Sequence, residues 1–238
     1  MENAKIAYRE DKTISQVAYF RQNSNTSLNQ LHIYRENGKD IEQVLAFRID
    51  GTLEQARIYT KNGMFLERDI FYREDGKTIE QIYIYKKDSR FIDKKIFYRE
   101  DGKTIDQIHF CNGINDKIYL GNVYREDGQT LKETHFYKDD GKTIEKKTLY
   151  KDDGKTIDQI HFYNGNNSSP VKAEFYKADG LTKIQAKYFK EGTDHLDNTV
   201  CYKQDGKNIG ATLYYADDGS LKQVVLGESA DNNHNVFE

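Results

Sequence analysis

Three histidines stand 26 residues apart, at His109, His135 and His161, and their spacing invites chemistry more than any other feature of the chain. Imidazoles lined up on one protein face are metal ligands, and Cys111 lies two residues from His109, on the same side of an extended segment. The distances speak against a shared ion. Residues that recur at every second strand of a sheet are about 9.6 Å apart, whereas zinc ligands bond at about 2 Å. A partly exposed strand position copied along a repeat accounts for the row more simply. Asp101, Asp127, Asp140 and Asp153 each precede a glycine and follow another acid, which raises a calcium reading. A calcium loop needs carboxylates at alternate positions, and these turns offer only an adjacent pair followed by Lys or Gln. Acids recur again at Glu80, Asp106, Glu145 and Asp158. An active site is singular and concave, while copied positions give many equivalent wet ones. G-x-S-x-G, HExxH, P-loop and GxGxxG motifs are absent. The expectation is therefore no catalytic residue, no metal and no cofactor.

The elements that carry these side chains follow from an internal repeat. Units of 13 residues begin at Tyr72, Tyr85, Tyr98, Cys111, Tyr124, Tyr137, Tyr150, Tyr163, Tyr176, Phe189, Tyr202 and Tyr215 without a slip. Upstream, units at Tyr8, Phe20, Tyr34, Phe47 and Tyr59 continue the series with single insertions or deletions, which makes seventeen. Each unit couples a β-branched and aromatic run, such as TIDQIHF, to a polar R-E-D-G-K or K-D-D-G-K segment. The first reads as a strand and the second as a hairpin turn, with Gly at the fifth position of eleven units and Asn115 and Asn167 in two others. The spacing predicts a three-residue loop, a type I turn closed by a left-handed glycine. That loop pairs Ile84 with Ile92 and Tyr72 with Thr78, and so on along a continuous ladder. The fold class expected is all-β: an elongated open antiparallel meander of about seventeen strand-turn repeats, largely a single-layer twisted sheet. A repeat without accumulated stagger does not close a barrel. Residues 1–226 read as a single β-repeat domain and 227–238 as a polar, frayed tail. The sole proline, Pro170, sits in a stretch from Asn164 to Val171 that breaks the pattern and reads as a local distortion.

Composition agrees with a thin structure. Hydrophobic residues are 37% and charged residues 32%, yet 18 Tyr and 12 Phe are too many aromatics for a disordered coil. Acids and bases are interspersed, the net charge is −3, and no basic run is present, which argues against nucleic acid as a partner. No apolar stretch is long enough to span a membrane. The opening MENAKIAYRE lacks an apolar signal region, and a leader already removed would leave the same start, so the compartment stays open. Cys111 and Cys201 are too far apart in the array to read as a disulfide framework.

The phrases YREDGKTIDQI and YKDDGKTIEKK resemble the uncharacterised YxxDGKTI tandem repeats of phytoplasma and mycoplasma proteins, over most of the array and best from Tyr72 to Phe162. That resemblance implies a repeat type and no activity. FYREDGKTIDQI also resembles strands of the spirochaete outer-surface protein A, which implies a single-layer sheet wet on both faces. MORN-type hairpin repeats are a weaker analogy, because their Gly-rich spacing is absent.

What remains for function is surface. Ile82, Ile84, Ile92, Ile96, Tyr98, Ile108, Phe110, Ile118 and Leu120 are expected on one face as a partner-binding patch, with Gln81, Lys95, Gln107 and His109 on the opposite face among an apolar ladder that includes Phe71, Ile79, Phe97 and Ile105. The leading expectation is a non-enzymatic repeat protein that presents a sheet to a protein partner of unknown identity. A homodimer through an apolar face is another way to cover the patch. Alternatives are a cell-surface structural protein, an adhesin or lipoprotein ectodomain, and a secreted host-directed effector. An enzyme ranks last.

Overall fold

The computed structural model describes residues 3–22, 24, 26–165 and 169–227. The chain is all-β: eighteen strands and, among the described residues, no helix. They fall into two compact units, Met1–Gln129 and Thr130–Glu238. Unit 1 contains β1 (Asn3–Tyr8), β2 (Ile14–Phe20), β3 (Leu28–Tyr34), β4 (Ile41–Phe47), β5 (Leu53–Tyr59), β6 (Leu66–Tyr72), β7 (Ile79–Tyr85), β8 (Ile92–Tyr98), β9 (Ile105–Cys111) and β10 (Ile118–Tyr124). Unit 2 contains β11 (Leu131–Tyr137), β12 (Ile144–Tyr150), β13 (Ile157–Phe162), β14 (Lys172–Tyr176), β15 (Lys183–Phe189), β16 (Leu196–Tyr202), β17 (Ile209–Tyr215) and β18 (Leu221–Leu226). Within each unit every strand pairs antiparallel with the next in the chain, which makes each an open meander. The strands exceed the seventeen expected by one, because β1 precedes the first turn. Of the 227–238 tail only Gly227 is among the described residues, as is neither Asn167 nor the rest of 166–168. Around Pro170 the pattern does shorten: β13 ends at Phe162 and β14 has five residues.

Among the described residues the expected three-residue loop closes the hairpins of Arg9–Thr13, Arg48–Thr52 and Ala216–Ser220. In units such as that of Tyr72 the loop has four residues. Arg73 N–H donates to the Thr78 carbonyl at 2.8 Å and Gly76 N–H to the Arg73 carbonyl at 3.0 Å, which leaves Glu74 to Lys77 between them. A β-bulge then follows at the start of the next strand. Tyr85 opposes Ile92 and Ile84 opposes Lys94, so Asp93 is the extra residue. The predicted pairing of Ile84 with Ile92 is therefore wrong by two residues, and that of Tyr72 with Thr78 by one, since Tyr72 meets Ile79. A longer loop and a bulge together break the predicted ladder.

The turns hold one another. Asp101 Oδ1 accepts the N–H groups of Lys103 at 2.9 Å and Thr104 at 2.8 Å, and the Thr104 hydroxyl donates to its Oδ2. These three donors stabilise the charged carboxylate and hold its pKa down at about 2. Arg73 Nη2 reaches forward to the carbonyls of Tyr98 and Arg99, both at 3.0 Å, and Arg99 does the same to Tyr124 and Arg125 at 3.0 and 3.1 Å. In unit 2 lysine takes the role: Lys151 Nζ lies 3.0 Å from the Lys177 carbonyl and Lys177 Nζ 2.7 Å from that of Gln204. Thr78 packs against the glycine of the same forward turn, where a Cβ on Gly102 would stand 2.6 Å from Thr78 Cγ2. Lys12 adopts φ of 68° at the same corner position without being glycine. Where a threonine packs on the corner, as at Gly102, a Cβ has no room as well. Among the described residues no large side chain is fully buried, and stability rests on cross-strand pairs and these turn stacks.

Candidate functional site

Side chains alternate between the faces of a strand, and antiparallel partners share a face. The register pairs the fourth residue of one strand with the fifth of the next, so a given repeat position points to opposite faces in neighbouring strands. One face of unit 1 therefore takes the fourth residue of odd strands and the fifth of even ones. Its middle row runs Ala18, Leu31, Leu45, Ala56, Ile70, Ile82, Ile96, Ile108, Asn122. From Leu31 to Ile108 the row is wholly aliphatic. On the same face a second row runs Gln16, Ile33, Gln43, Ile58, Arg68, Ile84, Lys94, Phe110, Leu120. On the other side of the middle row stand Phe47 with Leu53, Tyr72 with Ile79 and Tyr98 with Ile105, where the bulges add Glu54, Glu80 and Asp106. Most of these side chains are half-exposed.

Seven of the nine patch residues named from the sequence fall on this apolar face: Ile82, Ile84, Ile96, Tyr98, Ile108, Phe110 and Leu120. Ile92 and Ile118 do not. They oppose Tyr85 and Cys111, which alternate with Tyr83 and His109 on the other face. The bulges carry them across, and Ile92 (8% exposed) and Cys111 (3% exposed) are buried there.

The opposite face is mixed, with Phe71 and Phe97 alternating with glutamines in one row and Tyr59 with Leu66 and Tyr85 with Ile92 in another. Its central row runs Val17, His32, Val44, Arg57, Asp69, Tyr83, Lys95, His109, Gly121, and Gln81 and Gln107 lie in the next row, as expected for Gln81, Lys95, Gln107 and His109. Sequence reading missed Asp69, which is only 5% exposed. Burial raises its pKa, against two hydrogen bonds from Gln55 Nε2 at 2.8 and 2.7 Å and the Arg57 guanidinium at 4.0 Å. Tyr83 and Tyr85 beside it are raised as well, first by burial and then by the Asp69 charge. Lys95 Nζ sits 5.0 Å from the centre of the Tyr83 ring. The polar groups of this row interact with their neighbours across and along the strands.

The histidines have a local partner. His32, His109 and His161 each bond the glutamine two residues earlier, at 3.1, 3.1 and 2.9 Å, and His135 bonds Glu133 at 2.9 Å. Burial lowers the pKa of His32 and His161, and the His135 contact lowers that of Glu133. In unit 2 Lys147 separates His135 from His161. Among the described residues no three His, Cys, Asp or Glu side chains come together as a metal site. Cys111 and Cys201 are free thiols, and burial pushes the Cys111 thiol up.

Unit 2 is built differently. In the row matching the middle row of unit 1 it has Thr134, Thr148, Ile160, Glu174, Ala186, Val200 and Thr212. Phe136, Lys146, Phe162, Lys172 and Tyr188 run alongside, with Lys146 Nζ 4.0 Å from the Phe136 ring centre and Lys172 Nζ 5.2 and 5.5 Å from those of Phe162 and Tyr188. Buried Glu174 is held by Lys172 at 2.7 Å, Lys183 at 3.1 Å and the Tyr176 hydroxyl at 2.7 Å. Those donors outweigh burial and lower its pKa. Among its described residues this unit offers no continuous aliphatic row.

No family model matches the chain, and neither does any curated protein. Among solved structures, TarM of S. aureus, in complex with fondaparinux and UDP, aligns at 12% identity and a TM-score of 0.27 over 51% of this chain and 20% of its own. The Tc holotoxin pore of Photorhabdus luminescens aligns at 8% and 0.21 over 88% and 14%, and a Bacteroides fragilis protein of unknown function at 8% and 0.17 over 94% and 92%. The chain spans about a fifth of the first and a seventh of the second. Likenesses this slight carry no functional argument.

Proposed function

We propose that this chain is a non-enzymatic repeat protein whose unit 1 presents its aliphatic face to a protein partner. One observation carries the reading. An unbroken row from Leu31 to Ile108, flanked by Ile33, Ile58, Ile84 and Phe110, lies on a sheet over which the described residues of unit 1 place no second layer. Apolar patches larger than a few hundred Å² on a folded protein mark contact sites. The central row opposite interrupts its apolar residues with His32, Arg57, Asp69, Lys95 and His109 and forms no comparable aliphatic stripe.

Site-specific photo-cross-linking in the native cell tests this. A benzophenone side chain replacing Ile96 should trap a protein, while the same group replacing His109 should not. Equal capture from both faces, or none from either, would overturn the proposal.

A further inference from the structure

We infer that the partner is a second copy of the chain, stacked face to face on unit 1 about a two-fold axis that runs along the middle row. The inference rests on the reading above and deepens it by naming the occupant. Its first support is self-complementarity of position. Rotation about that row brings each strand against its own counterpart with the ends exchanged. Ile70, Ile82 and Ile96 then meet their own copies, which is the isologous arrangement a closed dimer requires.

The second support is charge. Arg68 and Lys94 are the cations of the row on one side of the aliphatic centre, and that row contains no carboxylate. Glu54, Glu80 and Asp106 stand on the other side, opposite Phe47, Tyr72 and Tyr98. Exchanging the strand ends sets Arg68 over Tyr72 and Glu80 of the second copy, and Lys94 over Tyr98 and Asp106. Each cation thus meets an aromatic ring and an acid. Within one copy Arg68 pairs with the exposed Glu67 at 3.1 Å, and Asp106 takes Arg99 at 3.2 Å and Gln107 Nε2 at 3.3 Å.

The third support is area. Seven strands, β3 to β9, about 4.8 Å apart and each about 20 Å long, give a footprint of roughly 700 Å² per copy. That is within the range of standard stable interfaces. Two twisted sheets packed about 10 Å apart bury such faces routinely.

Sedimentation equilibrium of the full chain tests the inference. The unaltered protein should be a dimer, and Ile82→Glu with Ile96→Glu should make it a monomer with an unchanged circular dichroism spectrum. Arg68→Glu should raise the dissociation constant about tenfold, and adding Glu80→Arg should restore it to within about threefold. Both swap positions are surface ones, so this pair decides even if the double Glu variant misfolds. A monomeric wild type at about 100 μM, or a swap that fails to restore pairing, overturns the inference. If the wild type is monomeric while the Ile96 probe traps a different protein, self-pairing fails and the partner reading survives. If that probe traps nothing, both fail.

Discussion

Replacing Gly102 with Ala should cost far more than replacing Gly51, although both corners have a left-handed backbone. The φ angles are +67° at Gly102 and +86° at Gly51. Holding a Cβ in that region costs roughly 1–2 kcal/mol, and the stiffer unfolded chain returns about 0.5 kcal/mol of it. At Gly51 nothing lies within 4 Å of the added carbon, so the net cost there is about 1 kcal/mol. At Gly102 the same carbon would meet Thr78 Cγ2 at 2.6 Å, Ile79 N at 2.9 Å and Ile79 O at 3.2 Å. Overpacking of that kind adds roughly 1–3 kcal/mol, for a total near 3 kcal/mol. Urea unfolding compares the variants, and amide exchange at Arg99 and Gly102 reports the local turn, whose bonds are Arg99 N–H to Thr104 and Gly102 N–H to Arg99. Exchange matters because repeat arrays lose cooperativity, and a single unfolding midpoint then averages over units. Thr78→Ser removes Cγ2 and keeps the hydroxyl that donates to Asp75. Combined with Gly102→Ala it should recover part of the loss and not all, because the backbone of Ile79 remains. Equal costs at Gly51 and Gly102, or no rescue by Thr78→Ser, would refute the claim that turns pack on turns.

Other expectations follow from the same structure. Arg99→Met removes a charged donor from the Tyr124 and Arg125 carbonyls and should cost about 2 kcal/mol in urea unfolding, with Arg99→Lys recovering about half, as the Lys151 and Lys177 contacts imply. The turn carboxylates of Asp75, Asp101, Asp153 and Asp179 are lowered from 3.8 to about 2, so the stability they confer is complete above pH 4 and is lost as pH falls toward 2. Changing all four to Asn should flatten that acid limb of a stability–pH titration. Asp69 behaves in the opposite sense: its raised pKa means the folded state takes up a proton more readily than the unfolded one, so it gains stability as pH falls from neutrality. Asp69→Asn should therefore raise the thermal midpoint at pH 7, with the difference from wild type closing toward pH 4.

Much of this was legible in the residues. Thirteen-residue spacing and Asp-Gly corners specify strand, turn and antiparallel neighbour, because each is local chemistry. Register was not legible. The acid that follows the first strand residue, such as Glu80 or Asp106, looks like an ordinary outward position, yet it is the extra residue of a bulge. Alternation counted through it puts Ile92 and Ile118 on the wrong face. Asp69 was invisible for a related reason: Gln55, Arg57 and Tyr83 share no motif with it and meet it only once the true register is set. The forward reach of Arg73 and Arg99 did leave a signal, a basic residue at the same unit position every 26 residues. It needs the turns stacked two by two before it means anything.

The two periods in the chain do different work, and the difference bears on function. Thirteen residues make a strand and a corner, but the same position in successive strands points to opposite faces. A strict 13-residue repeat would give a sheet two identical faces. Unit 1 departs from that strictly. The fourth residue is Leu31, Ile82 and Ile108 in odd strands β3, β7 and β9, but Val44, Asp69 and Lys95 in even strands β4, β6 and β8. The fifth inverts the choice, with Leu45, Ile70 and Ile96 in those even strands and His32, Tyr83 and His109 in the odd ones. Stability of the meander does not require this, since unit 2 folds the same way with Thr134, Thr148 and Glu174 in the corresponding row. An aliphatic face that the fold can do without, and that alternation of the repeat had to be broken to build, is best explained by something that covers it.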